Sequence, residues 1–426
     1  MTAASSHAAR PTPSSRAVFG LAVLSLINFF NYLDRYIVAG VLPLVEAELR
    51  IDHQQAGALA SVFMIVYMLA SPLGGYLGDR VPRRLLVAGG VFGWSLATIG
   101  SGLATTFALL LFARAMIGIG EAGYGSVAPA LISDLFPRRS RTRMLAFFYI
   151  ALPLGAAAGF GTGGWVGERY TWHAAFFAGG VPGLALAALA LLLPEPKRGA
   201  TEEVAGPQKI PFRLGLRQLS RNRTFWTVTA GLTLMTFSIG GLANWMPSFL
   251  NLERGVPLGQ AGIFFGGITA VAGTLGTFAG GVLGDWAERR RPNGGVWLSG
   301  LGLALAAPFV FLAARVPQPS IIYGLSFIAQ FLIFLNTGPL NAAIVNCVSP
   351  AFRAFAMGLN VLLFHLLGDA LSPTVIGAIA KRFSIALAIE VNSVPVLAGG
   401  LVLLLAPALF GRVAAASGSP PATSSK

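Results

Sequence analysis

Gly74-Gly75-Tyr76-Leu77-Gly78-Asp79-Arg80-Val81-Pro82-Arg83-Arg84 returns later in the chain as Gly280-Gly281-Val282-Leu283-Gly284-Asp285-Trp286-Ala287-Glu288-Arg289-Arg290, identical at seven of eleven positions. Each copy closes an apolar run and ends on paired arginines, which marks the polar end of a membrane helix. A phrase repeated about half a chain apart reads as duplication. It predicts two parallel halves related by an axis along the membrane normal.

Outward from the repeat, apolar segments long enough to cross about 30 Å of hydrocarbon at 1.5 Å per residue are easily marked. They run over roughly 18–45, 55–78, 84–104, 106–135, 144–166 and 173–194, then 224–250, 258–284, 294–315, 320–347, 354–381 and 389–411. The expectation is an all-α membrane protein of twelve transmembrane helices in two six-helix halves, 18–194 and 224–413. A polar linker, 195–223, joins them and carries an amphipathic segment around Phe212, Leu216 and Leu219. The tails 1–17 and 414–426 are rich in Ser, Thr, Pro and Ala and are expected to be disordered. The first apolar run is too long for a cleaved signal and carries Asp34 and Arg35.

Composition agrees with this reading. Charged residues make up 11% of the chain and hydrophobic ones 55%, against about 25% charged in soluble domains. The net charge of +14 does not form a nucleic-acid surface, because the basic residues sit in short loops. Arg80, Arg83, Arg84, Arg138, Arg139, Arg141, Arg143, Arg217, Arg221, Arg223, Arg289, Arg290 and Arg291 fall on one set of alternate connections. By the positive-inside rule, both termini and the linker face the cytoplasm of an inner or plasma membrane. One cysteine, Cys347, and four histidines offer no disulfide and no zinc set, so no metal or cofactor is expected. No catalytic histidine pair, nucleophile elbow or metal box is present, and the chain does not read as an enzyme.

Charges inside the membrane are few and therefore informative, since each costs several kcal/mol unless paired or hydrated. Asp34 and Arg35 lie on the first helix, Arg114 and Glu121 on the fourth, and His365 and Asp369 on the eleventh. Arg114 and Glu121 are seven apart and share a helix face, as do His365 and Asp369 at four apart. Arg35 points about 100° away from Asp34 and is free to serve another acid. Three carboxylates against two arginines leave one negative charge, which a proton would neutralise. Asp34 or Glu121 is the expected proton site, with Arg35, Arg114, His365 and Asp369 as charge partners. The alternative use of the same residues is a structural ion-pair network bracing helices 1 and 4.

The loop phrase with its aspartate and paired arginines resembles the signature of the major facilitator superfamily. That resemblance implies a gating role for Gly75, Asp79, Arg80, Arg83, Arg84, Asp285 and Arg289. Pro82 stands where the family usually has glycine. Three further words resemble the Spinster transporters: Asn31-Tyr32-Leu33-Asp34-Arg35 with Val38-Ala39-Gly40, Arg114 with Gly118-Ile119-Gly120-Glu121-Ala122, and His365-Leu366-Leu367-Gly368-Asp369-Ala370-Leu371-Ser372-Pro373. The resemblance implies a proton-linked, alternating-access carrier of an amphipathic lipid such as a lysophospholipid or sphingoid lipid, working as a monomer in the bilayer. Phe63, Tyr67, Tyr149, Asn244, Trp245, Asn336, Thr337 and Asn341 are candidate cavity-lining residues. Each also suits interhelical packing. Gly155-Ala156-Ala157-Ala158-Gly159-Phe160-Gly161-Thr162-Gly163-Gly164 resembles the fifth-helix motif of drug antiporters, with Phe160 in place of proline. Multidrug or organic-anion transport is therefore the alternative, and a non-transporting membrane sensor is a third reading.

Overall fold

The computed structural model describes residues 14–410 except 79, 137, 197–215, 218 and 349–352. Twelve helices in it are long and apolar enough to cross a membrane. The N-terminal six are α1 (Ser15–Leu49), α2 (His53–Gly78), α3 (Arg83–Gly102), α4 (Phe107–Leu135), α5 (Arg138–Arg169) and α6 (Trp172–Ala190). The C-terminal six begin with α7 (Arg223–Leu252), α8 (Leu258–Arg290) and α9 (Gly294–Arg315). The last three are interrupted. α10 is Pro319–Phe334 and Thr337–Asn346, α11 is Arg353–Phe364 and Ser372–Arg382 around a π-helical turn His365–Asp369, and α12 is Ile385–Val391 and Ser393–Phe410.

Local chemistry fixes the helix starts. Ser14, Thr106, Thr171, Asn222 and Ser384 each accept a backbone N–H of the first turn, the standard N-cap of a helix entering from a polar loop. The cap at Ser14 starts α1 three residues before the expected boundary at 18, so the segment 15–17 is helical. The rest of that tail, the tail beyond 410 and most of the amphipathic linker segment lie outside the described residues.

Packing between helices follows from small residues, because in lipid no water is released when apolar surfaces meet. α5 is threaded between α1 and α8 on two such faces. Gly155, Gly159 and Gly163 lie against the carbonyls of Phe29, Leu33 and Ile37 on α1. Ala157, Phe160 and Gly164 meet Gly266, Gly262 and Gly259 on α8. The segment that resembles an antiporter motif is therefore a packing surface shared by both halves.

Connections alternate between two faces of the bundle: the linker face, which carries residues 191–196 and 219–222, and the far face, which carries the turn at 50–52. Contacts joining the halves gather at the far face. Asp52 pairs with Lys381 at 2.8 Å, and the His53 ring stands edge-on to Trp245 at 5.4 Å. Glu168 accepts the Gly259 N–H at 2.7 Å on the other seam. Two turns further in, Thr374 donates to Ser61 at 2.8 Å. The Lys381 ammonium, hydrogen-bonded across the seam, holds the Asp52 carboxyl below the usual carboxylate range.

Candidate functional site

α1, α2 and α4 build a charged aromatic cluster midway through the N-terminal half. Arg35 Nε donates to Glu121 Oε2 at 2.7 Å, and Glu121 is fully buried. Tyr32, one turn before Arg35, and Phe63 and Tyr67, one turn apart on α2, place their rings 4.9, 5.2 and 4.7 Å from the Arg35 guanidinium. Arg114 lies over the same Phe63 ring at 4.9 Å, so one phenyl separates the buried Arg114 guanidinium from the partly buried one of Arg35. The close approach of α2 and α4 needs Gly118, where a Cβ would stand 2.7 Å from the Phe63 carbonyl.

The two arginines are held differently. Arg35 has a carboxylate; Arg114, 1% exposed, donates to the backbone carbonyls of Leu59 at 3.3 Å and Asp34 at 3.5 Å. Among the described residues no carboxylate lies within ion-pair distance of Arg114. Desolvating such ions costs several kcal/mol each, offset only by good geometry and by the negative ends of nearby dipoles. Carbonyls and a ring face provide that to Arg114 without neutralising it.

Asp34 is not in this cluster, although its neighbour Arg35 is. Its carboxylate turns between α1, α3 and α6, where Thr98 Oγ1 donates to Oδ2 at 3.3 Å and Oδ1 has no partner. The glycine at 179 on α6 leaves the space for it. Arg35 thus pairs with Glu121 and not with Asp34, as the 100° step between residues 34 and 35 allows.

In the C-terminal half, His365 Nδ1 lies 3.0 and 2.9 Å from the two Asp369 oxygens. The pair sits on the π turn, a local widening of a helix that recurs at functional sites. Phe364 packs its ring 4.4 Å from the imidazole.

The remaining predicted residues divide. Phe63 is buried beneath the guanidiniums, Tyr67 is partly exposed, and Tyr149 is 48% exposed. Asn244, Thr337 and Asn341 are partly buried and hydrogen-bond to carbonyls of their own helices. Trp245 and Asn336 are fully buried. Trp245 Nε1 donates to the Pro373 carbonyl and Asn336 to that of Ile333, so both brace helices and line no open space. Of the gating residues, Asp79 lies outside the described ones. Arg83 is buried and donates to Asp134 at 2.6 Å, Glu195 at 3.4 Å and the Pro196 carbonyl at 2.9 Å. It ties α3 to α4 and to the start of the linker, all within one half. The backbone N–H of Arg84 donates to Glu195, Arg80 stacks on Tyr76, Gly75 has open space around it, and Asp285 and Arg289 are exposed. Tyr32, Thr98, Asp134 and Glu195 were missed. Tyr32 was legible as the residue one turn before Arg35; Thr98 and Asp134 carry no signal until the helices are packed.

The sequence model of the Major Facilitator Superfamily matches residues 24–373. Protein spinster homolog 1 of Bos taurus is 38% identical over 393 residues, 87% of this chain and 74% of that one. The Homo sapiens protein of the same name is 37% identical, covering 86% and 74%. Among solved structures, a bacterial homologue of the human lysosomal transporter Spinster, inward-facing and unoccupied, superposes with a TM-score of 0.81 at 24% identity, over 93% of this chain and 96% of that one. The nucleoside transporter NupG gives 0.73 at 14% identity over 92% and 99%, which shows the shared fold alone. Twelve helices in two halves, and relatives that span most of this chain, make it a membrane transporter of the Spinster family within the major facilitator superfamily.

Proposed function

We propose that the chain is a proton-coupled secondary transporter that carries an anionic amphipathic lipid, of the lysophospholipid or sphingoid type, by alternating access. The observation that carries the reading is the cluster around Phe63: one arginine neutralised by Glu121, and one, Arg114, held by carbonyls and a ring face with no carboxylate among the described residues within ion-pair distance. A buried guanidinium without a carboxylate is a receptor for a phosphate or carboxylate headgroup, which it grips in a planar fork. The aromatic rings beside it suit the glycerol or alkyl stem next to such a headgroup. His365 and Asp369 present a second polar pair from the opposite half, so a ligand between them would touch both.

Two carboxylates supply the proton site. In this conformation Glu121 is matched by Arg35, while Asp34 has, among the described residues, no cation within ion-pair distance and one unpartnered oxygen. Asp34 therefore holds the proton here. In the opposite conformation, movement of α1 against α4 would part Arg35 from Glu121 and pass the proton need to Glu121. With the far-face seams closed, the site is read as open toward the linker face. With both termini in the cytoplasm of an inner or plasma membrane, that is the inward-facing state. The protein works as a monomer, since one chain carries both halves.

The test is uptake of a fluorescent lysophospholipid into proteoliposomes with and without an imposed pH gradient, beside a cationic dye. Gradient-driven movement of the lipid is expected. Movement of the dye alone would overturn the lipid reading in favour of drug efflux, and no response to the gradient would overturn the coupling.

A further inference from the structure

Asp34 sits in a polar seam between α1, α3 and α6 that the substrate cluster does not use. Ser95, Thr98 and Ser101 are all fully buried and recur at three-residue spacing along one face of α3. That face meets the glycines of α6. A Cβ at Gly179 would stand 2.2 Å from Asp34 Oδ1, and one at Gly183 would stand 2.1 Å from Ser95 Oγ. Only glycine leaves room for these polar groups between tightly packed helices. Both of those oxygens, Asp34 Oδ1 and Ser95 Oγ, are buried without a hydrogen-bond partner. Buried polar atoms are normally satisfied, so two orphans side by side in one seam call for an explanation.

The row of hydroxyls leads to the far face. Ser101, hydrogen-bonded to the Ala97 carbonyl at 3.1 Å, is one residue from the end of α3. Next to it, Gly102 packs on the backbone carbonyl of His173 at the start of α6. His173 Nε2 lies 3.6 Å from Glu48 Oε1, and Glu48 also accepts from Trp172 Nε1 at 2.9 Å. Both His173 and Glu48 reach solvent. Each hydroxyl is about 4.5 Å further along the helix than the last, a gap one bridging water spans. The charged groups on the other side of Asp34 are Glu121 and Arg114 of α4, and Arg114 touches only the Asp34 backbone carbonyl.

Resting on the reading of Asp34 as a proton carrier, we propose that its proton arrives from the far face along the hydroxyls of α3, inside the N-terminal half, and not through the central cavity. The proton passes from far-face water, past His173 and Glu48, by way of Ser101 and Thr98 to Asp34; each hydroxyl takes up one proton as it releases its own, so every O–H bond broken is matched by one formed and only the Asp34 carboxylate gains a proton. Thr98 is a positioning and relay residue, acting through its hydroxyl. Proton and substrate thus reach the protein by separate routes, which lets either bind while the other's path is closed.

The test needs no substrate: pH-jump infrared difference spectroscopy on the purified full chain, following the Asp34 carboxyl band assigned by its loss in Asp34→Asn. Thr98→Val and Ser101→Ala are expected to slow appearance of that band at least tenfold, with Thr98→Ser restoring the rate. A merely structural threonine would leave the rate unchanged in the folded variant, as judged by helical circular dichroism. Equal rates in all variants would overturn the route while leaving Asp34 as carrier. Absence of any Asp34 band would instead overturn the carrier reading and the route with it.

Discussion

The two copies of the repeated phrase fold into different corners. In the N-terminal copy, α2 stops at Gly78 and Arg83 turns inward to meet Asp134 and Glu195. In the C-terminal copy, α8 runs on through Arg290, so the matching Arg289 stays exposed. Glu288 there accepts the backbone N–H groups of Asn293 and Gly295. A cavity of about 550 Å³ is lined by Gly284, Asp285, Glu288, Pro339 and Asn346 in this half. The helix interiors differ in the same sense. The N-terminal half buries ions, whereas the C-terminal half joins its helices with neutral pairs such as Thr229 with Asn360 at 2.8 Å and Ser238 with Asn392 at 3.0 Å. Duplication kept the backbone plan, and the charged chemistry was concentrated in one copy.

The sharpest way to break that asymmetry is Glu121→Gln. It leaves Arg35 buried and unpaired, where removing one partner of a buried ion pair costs about 3–5 kcal/mol in soluble hosts. Loss of all gradient-driven uptake and a clear drop in thermal stability are expected. Uptake that still follows the gradient would place the coupling elsewhere, and a matching loss from Thr229→Val would erase the contrast between halves.

The corners can be compared directly through Arg83→Gln and Arg289→Gln. The first removes the buried guanidinium that donates to Asp134, Glu195 and the Pro196 carbonyl and is expected to destabilise by several kcal/mol; the second changes an exposed side chain and should stay within about 0.5 kcal/mol. Thermal unfolding of the two purified variants measures the difference. Equal effects would mean that Arg289 reaches into its corner as Arg83 does.

The smallest effect is expected where the halves meet at the far face. The Asp52 carboxyl is depressed by Lys381, so its contribution to closure is complete above the ordinary carboxylate value near 3.9 and is lost as pH falls through the depressed one. As a largely solvent-exposed pair it is worth less than about 1 kcal/mol. Spin-label distances across the far face should lengthen slightly below about pH 4 in the unsubstituted protein and be flat in Asp52→Asn. A distance that lengthens equally in both would assign the acid response to another group.

Legibility in the sequence was uneven for physical reasons. The helices and their number were readable because the bilayer imposes a length and a hydropathy on every span, whatever its neighbours. The breaks in α10 and α11 were not, since the π turn at His365–Asp369 is a change of one residue per turn that leaves composition untouched. Six ionisable residues lie on helices of membrane-spanning length, and their rarity in such apolar runs singles them out without coordinates. Their partners were harder. Arg35 was free to leave Asp34 by helical geometry alone, but only the packing of α4 on α1 made Glu121 its partner.

By itself, then, the chain determined that there are two like halves of six membrane helices and which few charges lie within them, because each follows from local length, period and cost of burial. The tertiary structure decided which charge meets which, that Asp34 faces α3 and α6 while Arg35 faces α2 and α4, and that Arg83 closes its corner while Arg289 does not. Those outcomes depend on how closely helices far apart in sequence approach one another. That distance is set by the small residues on both partners together, and neither segment carries it alone.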